Sequence, residues 1–391
     1  MRTYEQSHPW ITFRLDLSHA PYNIWLLLGE AQSKIEHIAG IPLLPSVQQE
    51  FHQLFLAKGV RATTAIEGNT LSEEEVRLQL EGQLKLPPSK EYLKIEIENI
   101  IGACNSILKK ILSSKSTELS VAELKEYNKS VLKGLPLQED VRPGRFRTYQ
   151  VGVGNYKGAP PEDVEFLTKK LVKWLNSGFQ PKEGLEIGFG LLKAIMAHLY
   201  IAWIHPFGDG NGRTARLIEL EILLRSNVPT VAAHLMSNHY NQTRSMYYSK
   251  LDEVSKNGGN PIPFIVYALQ GLVDGQREQI ERVKEQQLLV HWINYIHDRF
   301  RNQDTLAGHR RRKLAIDLSQ KTEPVPFADI RHITPRIAEA YAGKTDKTVK
   351  RDLNYLKNMN IIEKRKEGFR ARPELMFAFL PAKKESNSND S

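Results

Sequence analysis

Apolar residues recur at helical spacing along most of the chain. Residues 47–67 show this spacing and are followed by Gly68 and Asn69, which are typical of a helix C-terminus. Residues 185–204 are apolar on nearly every face, which predicts a buried central helix. Ser72 and Glu75 have the spacing of a capping box and open another helix. Further helices are predicted over residues 92–112, 120–133, 161–178, 214–225, 246–257, 263–285 and 290–301.

Two short hairpins interrupt this helical pattern. In residues 141–158, Tyr149, Val151 and Val153 alternate with other positions among three glycines, so a hairpin is expected there. Residues 361–372 predict a second, charged hairpin, and two helices are predicted before it over 333–342 and 347–359. The fold class is therefore mainly α, with a helix-turn-helix and a hairpin near the C-terminus.

The length of 391 residues suggests two or three domains. We predict an N-terminal helical region over residues 1–115, a core over 116–275 and a winged-helix-like domain over 286–380. The polar residues 381–391 are expected to form a disordered tail.

The composition is that of a soluble globular protein. Hydrophobic residues make up 41% of the chain and charged residues 25%, and no apolar run reaches the roughly 18 residues of a membrane span. The N-terminus lacks the apolar stretch of a secretory signal. Cys104 is the only cysteine, and its neighbours predict a packed helix face rather than a reactive thiol. We therefore expect a cytoplasmic protein without a membrane partner.

The positive charge is concentrated near the C-terminus. Residues 281–391 contain 23 Lys and Arg against 15 Asp and Glu, which is +8 of the formal net charge of +9. Basic side chains occur in the second helix of the helix-turn-helix, in residues 309–313 and in the hairpin. This distribution predicts that residues 310–372 contact DNA phosphates. The alternative is a winged helix used for packing, dimer contacts or target docking.

The most informative segment is residues 205–216, His-Pro-Phe-Gly-Asp-Gly-Asn-Gly-Arg-Thr-Ala-Arg, at the start of a predicted helix. A helix N-terminus offers unpaired N–H groups and the positive end of the helix dipole. Gly210, Asn211 and Gly212 let the backbone bring these N–H groups close to an anion. Arg213 and Arg216 lie three residues apart, so both can reach phosphate oxygens from one helix face.

Two residues of this segment add reactive chemistry. His205 can act as a general base near neutral pH. Asp209 is a hard oxygen ligand that suits a magnesium ion bridging phosphates. Together with the anion cradle they indicate attack by a hydroxyl on a nucleotide phosphate. Two alternatives remain: a structural glycine turn beside surface arginines, and a His205–Asp209 pair that stabilises a helix end or binds a transition metal.

The complete segment resembles the signature of the Fic family, His-x-Phe-x-Asp/Glu-Gly-Asn-Gly-Arg-x-x-Arg, at every fixed position. The resemblance implies a Fic-type helical core over residues 116–275 and transfer of AMP from ATP to a hydroxyl side chain of a protein. The family's site residues carry over to this segment: the base His205, the Mg²⁺ ligand Asp209, the phosphate cradle Gly210, Asn211 and Gly212, and the phosphate-binding Arg213 and Arg216.

Two further segments resemble parts of Fic proteins. Residues 148–158 are similar to the β-hairpin flap that pins the target segment, and the resemblance places Val153, Gly154 and Asn155 along its nucleotide side. Tyr247 is similar to a residue that family members place near adenine. The alternative for Tyr247 is an aromatic residue of the core.

Thr63 and Glu67 form a third element of interest. They are four residues apart on one helix face, and Glu67 stands at the end of that helix. A carboxylate there opposes the helix dipole at a cost of about 0.3–1 kcal/mol, which a bound arginine would offset. The alternative is that Glu67 is an exposed glutamate at a fraying helix end. The segment nevertheless matches the Fic inhibitory motif Ser/Thr-x-x-x-Glu-Gly/Asn, which implies pairing of Glu67 with Arg216 and a blocked γ-phosphate.

The sequence thus predicts an autoinhibited protein adenylyltransferase that uses ATP and Mg²⁺. Its partners are expected to be a protein with a Ser, Thr or Tyr hydroxyl, the chain itself as a target, and a second copy in a homodimer. The alternatives are a DNA-binding regulator whose Fic core senses a nucleotide, and a phosphodiesterase that removes AMP. Both His205 and Asp209 are present, which favours the enzyme because sensing needs neither a base nor a metal.

Overall fold

The computed structural model describes residues 1–113, 118–153 and 156–377. Gly154, Asn155 and the tail predicted over 381–391 lie outside the described residues, and Val153 is described only by its backbone. The chain divides into two compact units, Met1–Gln279 and Ile280–Ser391.

Helices dominate the first unit, which confirms the mainly helical fold class. The unit also contains a short antiparallel hairpin, in which Gly152 pairs with Lys157 and Val153 pairs with Tyr156. In chain order the elements are α1 (Thr3–Ser7), α2 (Tyr22–Gly40), α3 (Pro45–Ala65), α4 (Glu73–Leu80), α5 (Glu91–Ser113), α6 (Val121–Val131), β1 (Gly152–Val153), β2 (Tyr156–Lys157), α7 (Val164–Ser177), α8 (Glu186–Ile204), α9 (Asn211–Arg225), α10 (Thr230–Ala233), α11 (Leu235–Gln242), α12 (Arg244–Lys256) and α13 (Ile262–Arg299).

Helix α8 is the centre of this unit. Its apolar residues are buried on nearly all sides, as the sequence predicted, and α9 packs along it. Among the described residues, α8 is the one helix long and apolar enough to cross a membrane, but 78% of its most apolar window is buried inside the protein. A helix enclosed in this way belongs to the core of a folded unit.

The N-terminal helices share one core with α8 and α9. Val60 and Ile66 near the end of α3 and Ile97 and Ile107 of α5 are buried in the same apolar cluster as the residues of α8. The sequence prediction separated residues 1–115 from 116–275, whereas the structure places both in one unit. The difference arises because the apolar faces of α3 and α5 are covered by helices that follow much later in the chain.

Several boundaries also differ from the predicted ones. Helix α9 begins at Asn211 instead of residue 214, because Gly210 adopts a left-handed backbone (φ 74°) and serves as the N-cap. The helices predicted over 263–285 and 290–301 are one helix, α13, since no glycine or proline separates them. Cys104 is buried as predicted, and burial raises the pKa of its thiol to about 12.

The second unit contains the predicted helix-turn-helix and hairpin. Its elements are the part of α13 that follows Gln279, and then α14 (Leu306–Leu318), α15 (Pro335–Ala340), α16 (Asp346–Asn358), β3 (Ile362–Lys364) and β4 (Phe369–Ala371). The hairpin is antiparallel, and Val325 adds a bridge to Phe369 with two backbone hydrogen bonds of 2.8 Å. Trp292 of α13, Leu314 of α14 and Leu353 of α16 lie in its separate hydrophobic core.

Candidate active site

The segment 205–216 forms a tight loop between α8 and the first turns of α9. His205 ends α8 in a left-handed conformation with φ 50° and ψ 62°. Asn211 closes the loop, because its Oδ1 accepts a hydrogen bond from the N–H of Phe207 at 2.9 Å and its Nδ2 donates to the carbonyl of Phe207 at 2.8 Å. The Asn211 side chain therefore braces the loop that carries the other polar groups.

The hydrogen bonding of His205 leaves one ring nitrogen ready to accept a proton. Its Nδ1 lies 3.4 Å from the carbonyl oxygen of Ala202. A carbonyl only accepts, so Nδ1 carries the proton and Nε2 keeps its lone pair. Burial lowers the pKa of His205 to about 4, although the Ala202 carbonyl, Glu67 and Asp209 act in the opposite direction. The ring is therefore a neutral base at physiological pH.

A cavity of about 640 Å³ opens beside this loop. Its volume falls in the range of about 300–1,000 Å³ that is usual for small-molecule sites. Its walls come from the segment 205–212, α8, α12 and the hairpin. The predicted site residues that line it are Glu67, His205, Asp209, Gly210, Asn211, Gly212 and Tyr247.

The first turn of α9 is suited to bind an anion at the cavity wall. The first N–H groups of a helix have no partner within the helix and point outward along its axis. Gly212 allows close approach to this turn, because a Cβ atom there would lie 2.2 Å from Oε1 of Glu67. A carboxylate oxygen of the protein thus already lies against the predicted phosphate cradle.

Arg216 holds that carboxylate. Its Nη2 donates to Oε1 of Glu67 at 2.5 Å and to the carbonyl of Thr63 at 2.9 Å. Thr63 therefore contributes its backbone to this contact, which sequence reasoning did not anticipate. Burial would raise the pKa of Glu67, but the charge and hydrogen bond of Arg216 outweigh it and lower the pKa, so the carboxylate is ionised.

Arg213 and Arg216 also keep donors that could bind phosphate. Both side chains are buried. Within the described part of the chain, Nε of Arg213 and both Nε and Nη1 of Arg216 have no hydrogen-bond partner. Nη1 of Arg213 donates to Oε1 of Glu96 at 2.7 Å, and its Nη2 lies 3.3 Å from Oδ1 of Asp209. Unpaired buried donors are costly, and an anionic ligand would satisfy them.

Asp209 lines the cavity, and its side chain is about half exposed. Its Oδ1 accepts from the N–H of Gly210 at 2.5 Å. Across the described residues, no group of three or more His, Cys, Asp and Glu side chains has metal-site geometry. One carboxylate beside the anion cradle fits a magnesium ion that is held together with substrate phosphates.

Tyr247 lines the cavity and is also part of the core. Its hydroxyl donates to Nε2 of His198 at 2.9 Å, and Nδ1 of His198 in turn donates to the carboxylate of Glu219. The ring stacks on Tyr240 with a centroid distance of 5.0 Å. Tyr247 is thus a buried core aromatic that also lines the cavity, and its place near adenine stays a prediction.

The hairpin lies at the cavity entrance through Gly152 and Tyr156. The hydroxyl of Tyr156 donates to the carbonyl of Trp203 at 2.8 Å, which ties the hairpin to α8. Gly154 and Asn155 lie outside the described residues, and nothing is described of the Val153 side chain. The nucleotide-side role of these three residues stays a prediction.

Three functional-site residues escaped the sequence analysis because their partners are distant in sequence. The buried guanidinium of Arg147 donates to the carbonyls of His205 and Tyr149 at 2.7 Å each, so it joins the hairpin segment to the loop. Asn128 donates to the carbonyl of Asp209 at 2.8 Å. Glu96 pairs with Arg213. No periodicity or spacing in the sequence signals these contacts.

Residues 118–223 match the family model described as the Fic/DOC family. This part of the chain is a Fic domain. The Fic domain covers α6 to most of α9 and therefore includes the hairpin, His205 and both motif arginines. The match confirms a Fic-type core within the predicted residues 116–275.

Similar proteins extend the comparison beyond the Fic domain. The chain is 32% identical over 238 residues to the Caenorhabditis elegans protein named "Protein adenylyltransferase fic-1", covering 61% of this chain and 43% of that protein. It is 29% identical over 243 residues to "Protein adenylyltransferase Fic" of Nematostella vectensis, covering 61% and 51%. The chain thus spans about half the length of these curated relatives.

Solved structures show the same fold. The structure of Fic-1 residues 134–508 from C. elegans superposes with a TM-score of 0.54 at 27% identity, covering 67% of this chain and 73% of that one. A Fic family protein from Desulfovibrio desulfuricans G20 superposes with a TM-score of 0.52 at 20% identity, covering 88% and 96%. The second similarity concerns the fold alone.

Proposed function

We propose that the chain is a protein adenylyltransferase, which transfers AMP from ATP to a Ser, Thr or Tyr hydroxyl of a target protein. The single observation that carries the proposal is the cavity in which the free Nε2 of His205 faces the same space as the N-terminus of α9. The curated relatives named as adenylyltransferases support the same reaction.

The proposed reaction is one displacement at phosphorus. The target hydroxyl oxygen attacks the α-phosphorus of ATP, and its proton passes to Nε2 of His205. The bond between the α-phosphorus and the oxygen bridging to the β-phosphate breaks, and pyrophosphate leaves. The N–H groups at the start of α9 and the free donors of Arg213 and Arg216 stabilise negative charge on the phosphate oxygens.

Asp209 would hold Mg²⁺ in this complex. When bound, the ion neutralises charge on the phosphates and orients them. The hydrogen bonds from Gly210 and Arg213 fix the Asp209 carboxylate toward the cavity in advance. Asn128 and Arg147 position the loop that carries Asp209 and His205.

We further propose that Glu67 inhibits this reaction. Its carboxylate lies where a phosphate would approach Gly212, and it occupies Nη2 of Arg216. The γ-phosphate of ATP then cannot take its productive position. In this proposal the segment from Thr63 to Glu67 is an inhibitory element within the same chain.

One labelling experiment tests both proposals. Wild type, Glu67→Gly and Glu67→Gly/His205→Ala are incubated with α-labelled and γ-labelled ATP, and labelled protein is followed, including the chain itself. We expect α-label in protein from Glu67→Gly, little from wild type and none from the double variant. Transfer of the γ-label would instead indicate phosphorylation, and equal transfer by wild type and Glu67→Gly would refute the inhibition.

Removal of AMP is a second candidate activity of the same site. Glu67 is ionised and borders the cavity, so its carboxylate could orient a water molecule toward an AMP-modified side chain. Incubation of labelled, modified protein with wild type and with Glu67→Gly separates the two activities. Release of free AMP by wild type alone would support this second function.

The C-terminal unit suggests a further partner. We propose that residues 310–372 form a winged helix that binds duplex DNA. The support is the order of two helices followed by a hairpin, the bridge from Val325 to the hairpin, and the excess of basic residues. A regulator that senses a nucleotide without catalysis would show this DNA binding but no label transfer.

A further inference from the structure

Many basic residues of the C-terminal unit are already engaged by acidic ones. Nε of Arg310 and Nε of Arg311 each lie 2.7 Å from the carboxylate of Asp352, which is fully buried. The sequence prediction had placed the cluster 309–313 among the phosphate contacts. The structure corrects this for Arg310 and Arg311, because two arginines that neutralise a buried carboxylate hold α14 against α16.

The hairpin arginines are similarly paired. Arg365 and Arg370 both contact Glu363, and Arg370 also lies 2.8 Å from Glu374. The hairpin keeps two exposed lysines, Lys364 and Lys366, without an acidic partner among the described residues. Its basic composition therefore overstates the positive charge that it can offer to a ligand.

Helix α16 carries basic side chains that remain available to a ligand. Lys347, Lys350 and Arg351 are exposed, and none has an acidic partner within the part of the chain that the structure describes. Val349, Leu353 and Leu356 cover the opposite face and are buried in the core of this unit. The exposed face also carries hydrogen-bonding side chains, and its polar residues are Lys347, Thr348, Lys350, Arg351, Asn354 and Asn358.

The spacing of these residues forms a stripe. Positions 347, 351, 354 and 358 follow each other at intervals of four, three and four, which places them along one side of the helix. Lys350 lies beside this stripe, with its ammonium 5.4 Å from the ring centroid of Phe327. An open depression of about 610 Å³ runs along the same face. Amide and guanidinium groups in such a stripe match the donors and acceptors of base edges.

We propose that α16 is the DNA-reading helix of this unit, an inference that rests on the proposed DNA partner. Lys347 and Lys350 contact phosphates, whereas Arg351 and Asn354, in the middle of the stripe, hydrogen-bond to base edges in the major groove. A helix of about 10–12 Å diameter fits that groove, which is about 12 Å wide. A protein partner fits less well, because the one aromatic residue along this face, Tyr355, is half-buried and hydrogen-bonds to Gln303, whereas protein interfaces are enriched in accessible aromatic residues.

The first test measures the salt dependence of binding. Fluorescence anisotropy follows the full chain with a labelled mixed-sequence duplex between about 50 and about 200 mM salt. The variant Lys347→Ala/Lys350→Ala should lose two phosphate contacts. The slope of its log affinity against log salt should therefore be smaller by about 1.8 than that of wild type. Lys347→Arg/Lys350→Arg should keep the slope, since arginine also pairs with phosphate. Lys364→Ala/Lys366→Ala on the hairpin is the control for loss of two positive charges elsewhere.

The second test measures sequence preference. A random duplex pool is enriched on wild type, Arg351→Ala and Asn354→Ala, and the recovered sequences are compared. We expect wild type to enrich a defined site, and each of the two variants to lose preference at a single position of that site. The slope of log affinity against log salt should be the same for Asn354→Ala as for wild type. Far-UV circular dichroism of each variant confirms that α16 remains folded.

The possible failures are distinguishable. No binding of any duplex at low salt would overturn the DNA partner and this inference together. Binding whose slope falls in the hairpin variant but not in Lys347→Ala/Lys350→Ala would overturn the role of α16 alone. Equal binding of duplex and heparin without any enriched sequence would overturn base reading by Arg351 and Asn354.

Discussion

Oε1 of Glu67 lies 2.5 Å from Nη2 of Arg216, although the two residues are 149 positions apart. The pair joins the end of α3 to the second turn of α9, and Glu67 lines the candidate catalytic cavity. Any ligand that needs Arg216 must therefore compete with a charged group of the protein itself.

Activity should rise stepwise as the Glu67 contact is weakened. A hydrogen bond between charged groups contributes roughly 1.5–3 kcal/mol, which corresponds to about a 10- to 150-fold change in rate if all of it opposes the reaction. Glu67→Gly should approach that gain, and Glu67→Gln should lie between wild type and Glu67→Gly because a carboxamide oxygen still accepts. Initial rates of α-label incorporation measure this order.

The control for this series is a glutamate outside the site. Glu74 is exposed on α4 and pairs with Arg77, so Glu74→Gln should leave the rate unchanged. An increase in Glu67→Gln equal to that in Glu67→Gly would show that charge alone, rather than the hydrogen bond, sustains the inhibition.

The pH dependence should reflect the lowered pKa of His205. The base is active only when neutral, so with a pKa of about 4 the rate should stay level down to about pH 5 instead of falling around the usual value of about 6.5. The measurement is kcat/KM for ATP in Glu67→Gly from pH 4.5 to 8. An acid limb centred near pH 6.5 would contradict it.

The lowered pKa of His205 also makes the stability of the fold depend on pH, so the pH series needs a control for unfolding. Between about pH 6.5 and about pH 4 the unfolded chain binds protons at His205 and His234 that the native protein does not bind. The free energy of unfolding therefore decreases as the pH falls through this window. Far-UV circular dichroism at each pH distinguishes a lost base from a lost fold.

The packing of α3 should control the inhibitory contact. A Cβ atom at Gly59 would lie 2.3 Å from Cγ of His234, so Gly59→Ala should destabilise the first unit by about 1–3 kcal/mol and raise basal AMP transfer. The exposed Gly29 of α2 has open space around it, and Gly29→Ala should instead stabilise by about 0.5–1 kcal/mol. Thermal unfolding and label incorporation of both variants make the comparison.

Asp352 should be essential for the stability of the C-terminal unit. Its buried carboxylate accepts from Arg310, Arg311 and the hydroxyl of Tyr341. Asp352→Asn leaves two arginines without a counter-charge, which should cost about 3–5 kcal/mol. Urea unfolding of the full chain, followed by far-UV circular dichroism, measures the loss. Lys313→Gln on the same α14 should change stability by less than about 0.5 kcal/mol.

Local signals predicted much of this structure. The all-round apolar residues of α8 and the capping box at Ser72 correctly indicated helices, because each depends on neighbours within a few residues. The start of α9 was misplaced because Gly210 looked like part of a loop, whereas its left-handed backbone is the cap. Resemblance, rather than periodicity, suggested the pairing of Glu67 with Arg216.

Contacts between distant segments were beyond the reach of the sequence. Arg147 binds backbone carbonyls, and a carbonyl exists at every residue, so no residue type marks its partners. The arginines of α14 looked like DNA contacts because Asp352 lies about 40 positions later, where nothing links it to them. Charge counts locate an excess, but only packing shows which charges are already neutralised.

The absence of a side chain at Gly212 has a consequence for the Glu67 contact. The missing side chain lets the Glu67 carboxylate reach the first turn of α9. In the proposed inhibition, Glu67 would therefore act as a tethered competitor of ATP. The strength of such a competitor is an effective concentration, set by how firmly α3 is packed rather than by the amount of protein. Basal activity should therefore depend on nucleotide level and on local unfolding of α3, and should not change on dilution.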